Sequence, residues 1–170
     1  MEMSIGEVLH DYRKQAGMTQ EEFADRVLID RSSVAKVENG KRQAPSSLIR
    51  QAASTFDEPR LYLAAQEEIT GGASVPWLDN ADLHRAATHL KSMEEAEEAL
   101  AAMKTAPIMK RPDQLTVADR AAIRSTIFEC VEAITALTHN VAVLCKDYAF
   151  SYIGIWKEHR AELKAKKYLN

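Results

Sequence analysis

The fold is decided by residues 17–45, which read GMTQEEFADRVLIDRSSVAKVENGKRQAP. Thr19 and Glu22 have the spacing of a capping box, which predicts that a short helix begins directly after Thr19. Asp30 is a second N-cap residue, and Gly40 allows the left-handed backbone at which helices end. The stretch therefore predicts two short helices joined by a turn of a few residues.

The two predicted helices each have an apolar face. Phe23, Ala24 and Val27 recur at helical spacing in the first helix, and Val34 and Val37 do so in the second. The outward face of the second helix carries basic and hydroxyl side chains, which are groups that bind phosphates and base edges. This pattern predicts a helix-turn-helix that reads DNA.

The charge of the chain is distributed unevenly. The whole chain carries a formal charge of −3, which argues against a generic binder of nucleic acids. Residues 31–50 nevertheless hold five basic residues and the single acid Glu38, a net charge of +4. The positive charge therefore lies in the second helix and the loop after it, at Arg31, Lys36, Lys41, Arg42 and Arg50.

The segment resembles the helix-turn-helix of the Cro and phage-repressor type, the XRE family, over roughly residues 4–63. The resemblance implies an all-α protein whose N-terminal part is a five-helix, lambda-repressor-like DNA-binding domain. One position departs from the family pattern, because Leu28 stands in the turn where glycine is usual. Either the turn is built differently, or Leu28 takes a left-handed conformation. The matching positions are Gln20, Ala24, Val34, Glu38, Asn39, Gly40 and Pro45.

The resemblance also implies roles for individual residues. The recognition helix would span about residues 31–39 and contact base edges through Arg31, Ser32 and Lys36. A surface pair with Asp30 or Glu21 is the alternative for Arg31. Glu38 is implied to be structural and to pair with Arg13. Phosphate contacts are expected at Gln20, Ser33, Asn39, Lys41 and Arg42, with a bond to its own helix as the alternative for Ser33.

Beyond this domain the sequence predicts a linker and a second module. Residues 70–76 contain two glycines, a serine and a proline, a composition typical of a hinge. We therefore predict a DNA-binding domain over residues 1–70, a linker over 71–78, and a helical module for oligomerisation or partner binding over 79–170.

Within the second module, residues 79–103 are amphipathic, with the acidic run Glu94–Glu98 predicted to face solvent. Another helix is predicted to start at Thr116, and the absence of Gly and Pro before Gly154 permits 30 residues or more. Ser151 has the character of an N-cap for a separate terminal helix.

The long helix carries a heptad-like stripe. Such a stripe suits a parallel two-stranded coil, but a helix packed antiparallel on residues 79–103 would give nearly the same pattern. The two interpretations are compatible if the helices form a hairpin that dimerises through its remaining face. The residues predicted to mediate oligomerisation are Ile123, Ile127, Ile134, Leu137, Val141, Leu144 and Tyr148.

The sequence offers no constellation that suits catalysis. The five histidines are scattered without the i, i+4 spacing and supporting carboxylate of a zinc-binding helix. Cys130 and Cys145 are predicted to be free thiols, which fits a reducing compartment. No enzyme activity, cofactor or metal is therefore predicted. A cytoplasmic protein without a membrane partner is expected, because no uninterrupted run reaches about 18 apolar residues and no signal-like segment opens the chain.

The function expected from these observations is a sequence-specific transcriptional regulator, a repressor of prokaryotic or phage origin that binds operator DNA as a homodimer. The alternative is an antitoxin-like adaptor, whose helical C-terminal half binds a regulatory protein or peptide.

Overall fold

A computed structural model describes residues 4–170, and every regular element in that range is helical. This confirms the predicted all-α class. The elements are α1 (Ile5–Gln15), α2 (Gln20–Arg26), α3 (Arg31–Glu38), α4 (Ser46–Phe56), α5 (Pro59–Thr70), α6 (Arg85–Thr105), α7 (Val117–Asp147) and α8 (Tyr152–Ala165), with a 3-10 turn at Pro112–Gln114 between α6 and α7.

The five helices α1–α5 surround one apolar core. Phe23 of α2 and Leu48 of α4 are completely buried, and Leu9 and Leu61 are 1% exposed. The helices begin where the sequence predicts, because Thr19 and Glu22 form the capping box of α2. The predicted five-helix N-terminal domain is confirmed.

The chain divides into two compact units, residues 1–77 with 148–170 and residues 78–147. This grouping differs from the predicted single module over 79–170, because α8 joins the first unit. Asp57 supplies the physical reason, since its carboxylate accepts hydrogen bonds from Ser151 Oγ at 2.6 Å and Ile153 N at 2.9 Å. Asp57 thus caps α8 together with Ser151, the predicted N-cap, whose Oγ accepts from the Gly154 amide at 2.9 Å.

The second unit is an antiparallel hairpin of α6 and α7. Ser92 Oγ of α6 lies 2.9 Å from the Ala136 carbonyl oxygen of α7, and Thr126 Oγ1 of α7 lies 3.4 Å from the Ala102 carbonyl oxygen of α6. α7 is 31 residues long, as the absence of Gly and Pro predicted. The hairpin alternative is therefore confirmed within one chain.

The face of α6 that packs against α7 consists of small and polar side chains. Its buried residues are Thr88, Ser92, Glu95 and Ala99. The prediction that the whole acidic run faces solvent is wrong at Glu95, which is 8% exposed. Small side chains let two helices approach closely, so this face packs well despite its polarity. The large apolar side chains of α6 are instead exposed, at Leu90, Met93, Leu100 and Met103.

α7 is long and apolar enough to cross a membrane by length and composition, although no uninterrupted apolar run was found in it. Its most apolar 18-residue window has a mean hydropathy of 1.4, and 22% of that window is buried. Core helices of soluble proteins pass the same test, so one such helix is weak evidence for a membrane protein.

Candidate nucleic-acid interface

A buried ion pair fixes the end of α3. Arg13 Nε donates to Glu38 Oε1 at 2.6 Å, and Arg13 Nη2 donates to Glu38 Oε2 at 2.8 Å. The two side chains are 5% and 2% exposed. Arg13 Nη1 also donates to the Met18 carbonyl oxygen at 2.9 Å, so Arg13 bonds both α3 and the end of the turn that leads into α2. The pairing that the family resemblance implied is present.

The ion pair leaves the surface of α3 without a negative charge at Glu38. Burial raises the pKa of Glu38, but hydrogen bonds from Arg13 and Gln20 outweigh it and hold the pKa below its ordinary value. Glu38 is thus ionised at neutral pH and neutralised by Arg13. Glu38 is the single acid within residues 31–50, and Arg13 of α1 neutralises it, so that stretch keeps a net positive charge.

The N-terminus of α3 is tightly capped. Asp30 Oδ1 accepts hydrogen bonds from the Ser33 amide at 2.8 Å and from Ser32 Oγ at 2.6 Å. These bonds hold the pKa of Asp30 well below its usual range. The hydroxyl of Ser32, predicted to reach a base edge, therefore donates to the cap.

The outer face of α3 is exposed. Arg31, Ser32 and Lys36 are all exposed, while Val34 and Val37 on the other side are 1% and 2% exposed. Residues separated by three and four positions share a helix face, so Arg31, Ser32, Ala35 and Lys36 lie along one strip. The three residues predicted to contact bases are therefore on the surface and on one side of α3.

The residues predicted to contact phosphates have different environments. Lys41 is exposed in the loop after α3. Exposed Arg42 donates through Nη1 to Ser33 Oγ at 3.4 Å, and exposed Asn39 donates through Nδ2 to the Ala35 carbonyl oxygen at 2.7 Å. Gln20 is half-buried and donates through Nε2 to Glu38 Oε2 at 2.9 Å. The Gln20 amide is thus bonded to the ion pair.

The turn between α2 and α3 resolves the alternatives at Leu28. This residue takes φ +54°, the left-handed conformation, and its side chain is 80% exposed. The Ile29 amide donates to the Ala24 carbonyl oxygen at 3.0 Å, which closes the turn. Leu28 therefore takes the backbone conformation that glycine would adopt here without a steric cost.

Gly6 positions α3 and was missed in the sequence. A Cβ placed on Gly6 would lie 2.4 Å from the Val37 carbonyl oxygen, a separation that real Cβ atoms do not show. Only glycine allows α1 to approach the backbone of α3 so closely. The available signal was a glycine within a helical pattern, which marks close backbone approach.

The predicted oligomerisation residues are unevenly exposed. Ile127, Ile134 and Leu137 are 60%, 54% and 45% exposed. Tyr148 directly follows the last residue of α7, before the chain turns at Ala149 with φ +56°, and is 58% exposed. Ile123, Val141 and Leu144 are half-buried.

Comparison with protein families gives a match to the helix-turn-helix family over residues 9–63, which span most of α1 to the middle of α5. Comparison with curated proteins and with solved structures gives no match. The matched residues contain α2, the turn at Leu28, α3 and the loop after it. Residues 9–63 therefore form a helix-turn-helix domain of the XRE type, a domain that is typical of DNA-binding transcription regulators.

Proposed function

We propose that this protein is a repressor of prokaryotic or phage origin that binds operator DNA as a homodimer in the cytoplasm, with α3 in the major groove. The observation that carries the proposal is the exposed cationic strip of α3, a helix whose own acid, Glu38, is neutralised by Arg13. A helix that presents Arg31 and Lys36 from one side has the geometry for base contacts.

In this proposal Arg31 reads sequence, while the loop after α3 fixes the position of the protein on the duplex. Arg31 stands at the first position of α3, next to the end of the helix that enters the groove. Lys41 and Arg42 follow the last turn of α3 and meet the phosphate backbone. Ser33 and Asn39 stand beside them, and Gln20 acts by fixing Glu38.

Dimerisation belongs to this mechanism. One small helix-turn-helix domain buries too little surface for a tight specific site, and paired half-sites about 34 Å apart overcome that limit. We assign the contact to the exposed stripe of α7 that contains Ile127, Ile134 and Leu137. A second copy of the chain would cover these side chains in a two-stranded seam.

The DNA-binding proposal is tested by selection of bound sequences from genomic fragments, followed by titration at several salt concentrations. Arg31→Ala should relax the preference at one base pair and cost about 1–3 kcal/mol at the best site. Lys41→Ala should weaken binding to all sequences alike. It should also reduce the slope of the logarithm of the binding constant against the logarithm of the salt concentration by about 1. Lys104→Ala, which removes an exposed cation from α6, is the control. Equal enrichment of the same sequences by Arg31→Ala and the wild type would refute the recognition assignment.

The dimer proposal is tested by light scattering of the full chain. Ile134→Asp should give a monomer with unchanged helicity, because a carboxylate would then be buried in the seam. Arg124→Asp changes an exposed residue of the same helix and should remain a dimer. A monomeric wild type would instead favour the adaptor function, in which a partner covers the exposed apolar residues of the hairpin.

A further inference from the structure

Three carboxylates lie close together where α6 packs against α7. Glu95 comes from α6, and Glu129 and Glu132 come from neighbouring turns of α7. One carboxylate oxygen of each lies within 4.8 Å of the other two. Ligand oxygens bind Mg²⁺, Mn²⁺ or Ca²⁺ at about 2.0–2.6 Å, so two oxygens on one ion lie at most about 5 Å apart. The spacing of the three groups therefore fits a single ion.

Glu95 gives independent evidence that a ligand binds between α6 and α7. Its side chain is 10% exposed, and Oε1 accepts from Lys91 Nζ at 2.8 Å. Oε2 is buried and has no hydrogen-bond partner among residues 4–170. A buried carboxylate oxygen without a partner costs free energy, so the geometry calls for a group that binds it.

The three carboxylates carry more negative charge than the ammonium group beside them neutralises. The three carboxylates have the ammonium of Lys91 beside them, which also binds Glu94 Oε2 at 3.0 Å, so the charge of these groups is net negative. A divalent cation would neutralise this charge and satisfy the free oxygen of Glu95.

An ion can reach these groups from a cavity within the hairpin. The cavity has a volume of about 280 Å³, and Lys91, Glu95 and Glu132 are among the residues that line it. It also leaves room for the waters that Mg²⁺ and Mn²⁺ retain when proteins bind them.

We propose that Glu95, Glu129 and Glu132 form a binding site for a hard divalent cation that links α6 to α7. The three ligands are all carboxylates, and such sets favour Mg²⁺, Mn²⁺ and Ca²⁺ over metals that prefer nitrogen or sulfur. The site is independent of the DNA-binding proposal, since no residue of α1–α5 takes part.

The test is titration of the chelator-treated full chain with Mn²⁺, followed by electron paramagnetic resonance of the free ion, with Mg²⁺ and Ca²⁺ as competitors. One Mn²⁺ should bind per chain, and Glu132→Gln and Glu129→Gln should weaken binding by about tenfold or more. Glu97→Gln makes the same change at an exposed position of α6 and should bind as the wild type does. Lys91→Gln should bind several-fold more tightly, because the resident ammonium no longer competes.

Glu95→Gln keeps the test decisive if another variant fails to fold. It removes a buried charge, so its helicity and melting temperature without metal should equal or exceed those of the wild type, and it should lose the Mn²⁺ site. Two results would overturn the proposal: no saturable binding by the wild type, or equal binding by the wild type, Glu95→Gln and Glu132→Gln.

Discussion

The helix-turn-helix unit buries large apolar side chains, whereas the packing face of α6 in the α6–α7 hairpin buries small and polar ones. In the first unit large apolar residues such as Phe23 and Leu48 have no exposed surface. In the hairpin the buried face of α6 contains Ser92 and Glu95, while Leu90 is 66% exposed. An apolar stripe thus identifies the packing face of a helix only when its partner lies in the same chain. On α6 and α7 several large apolar side chains are exposed instead, among them Leu90 and Ile134.

The two units also treat buried charge differently. Glu38 accepts hydrogen bonds from Arg13 and Gln20 on both carboxylate oxygens. Glu95 has Lys91 on one oxygen and no partner on the other. The carboxylate of Glu38 therefore has all its partners within the chain, whereas an added cation would stabilise the carboxylate of Glu95. The arrangement at Glu38 should be rigid without a ligand, whereas the stability of the hairpin should depend on what it binds.

The largest expected effect concerns the Arg13–Glu38 pair. Arg13→Ala leaves an ionised carboxylate buried without its partner, which should cost about 3–5 kcal/mol of the free energy of unfolding. Thermal and urea unfolding of the full chain, followed by circular dichroism, measures the loss. Lys14→Ala, at the exposed neighbouring position, should change stability by less than about 0.5 kcal/mol. Similar stabilities for the two variants would mean that the ion pair does not hold α3 in place.

The next effect compares two adjacent positions of α7. Ala133 is 6% exposed and Ile134 is 54% exposed. Ala133→Asp should destabilise the hairpin by about 3 kcal/mol, because the new carboxylate loses hydration among packed helices. Ile134→Asp should leave the melting temperature of the monomer nearly unchanged, since a side chain exposed in one chain loses no packing there.

Circular dichroism during heating, at a dilution at which the wild type is monomeric, distinguishes the two substitutions. If Ile134→Asp were the more damaging one, the stripe of α7 would be covered within the chain. The contrast drawn between the two units would then be wrong.

The sequence predicted the first unit well because its signals are local and consistent. Caps at Thr19 and Asp30 and apolar residues at helical spacing all indicate the same helices, and the core lies within the chain. The close approach at Gly6 could not be predicted, because it depends on where the backbone of α3 lies in space.

In the hairpin the lengths of the helices could be predicted, but the face that each helix buries could not. Glu95 belongs to an acidic run that reads as a solvated face, and its burial depends on the small side chains of the helix opposite. The grouping of α8 with the first unit depends on Asp57, whose side chain bonds residues 94 and 96 positions later. Contacts at such separations leave no periodic pattern in a sequence.

The smallest expected effect is at the turn of the helix-turn-helix, where the sequence left two alternatives for the backbone of Leu28. Leu28 holds a left-handed conformation that costs a residue with a Cβ about 1–2 kcal/mol, while its exposed side chain contributes little packing. Leu28→Gly should therefore stabilise the domain by about 0.5–1 kcal/mol, after the larger chain entropy of glycine in the unfolded state is subtracted. Leu28→Ala retains the Cβ and should show no such gain, and Ala149→Gly, at φ +56°, should gain a similar amount. Urea unfolding of the three variants measures the differences. A loss of stability in Leu28→Gly would show that the leucine side chain packs in the turn, and the strain assigned to this position would have to be withdrawn.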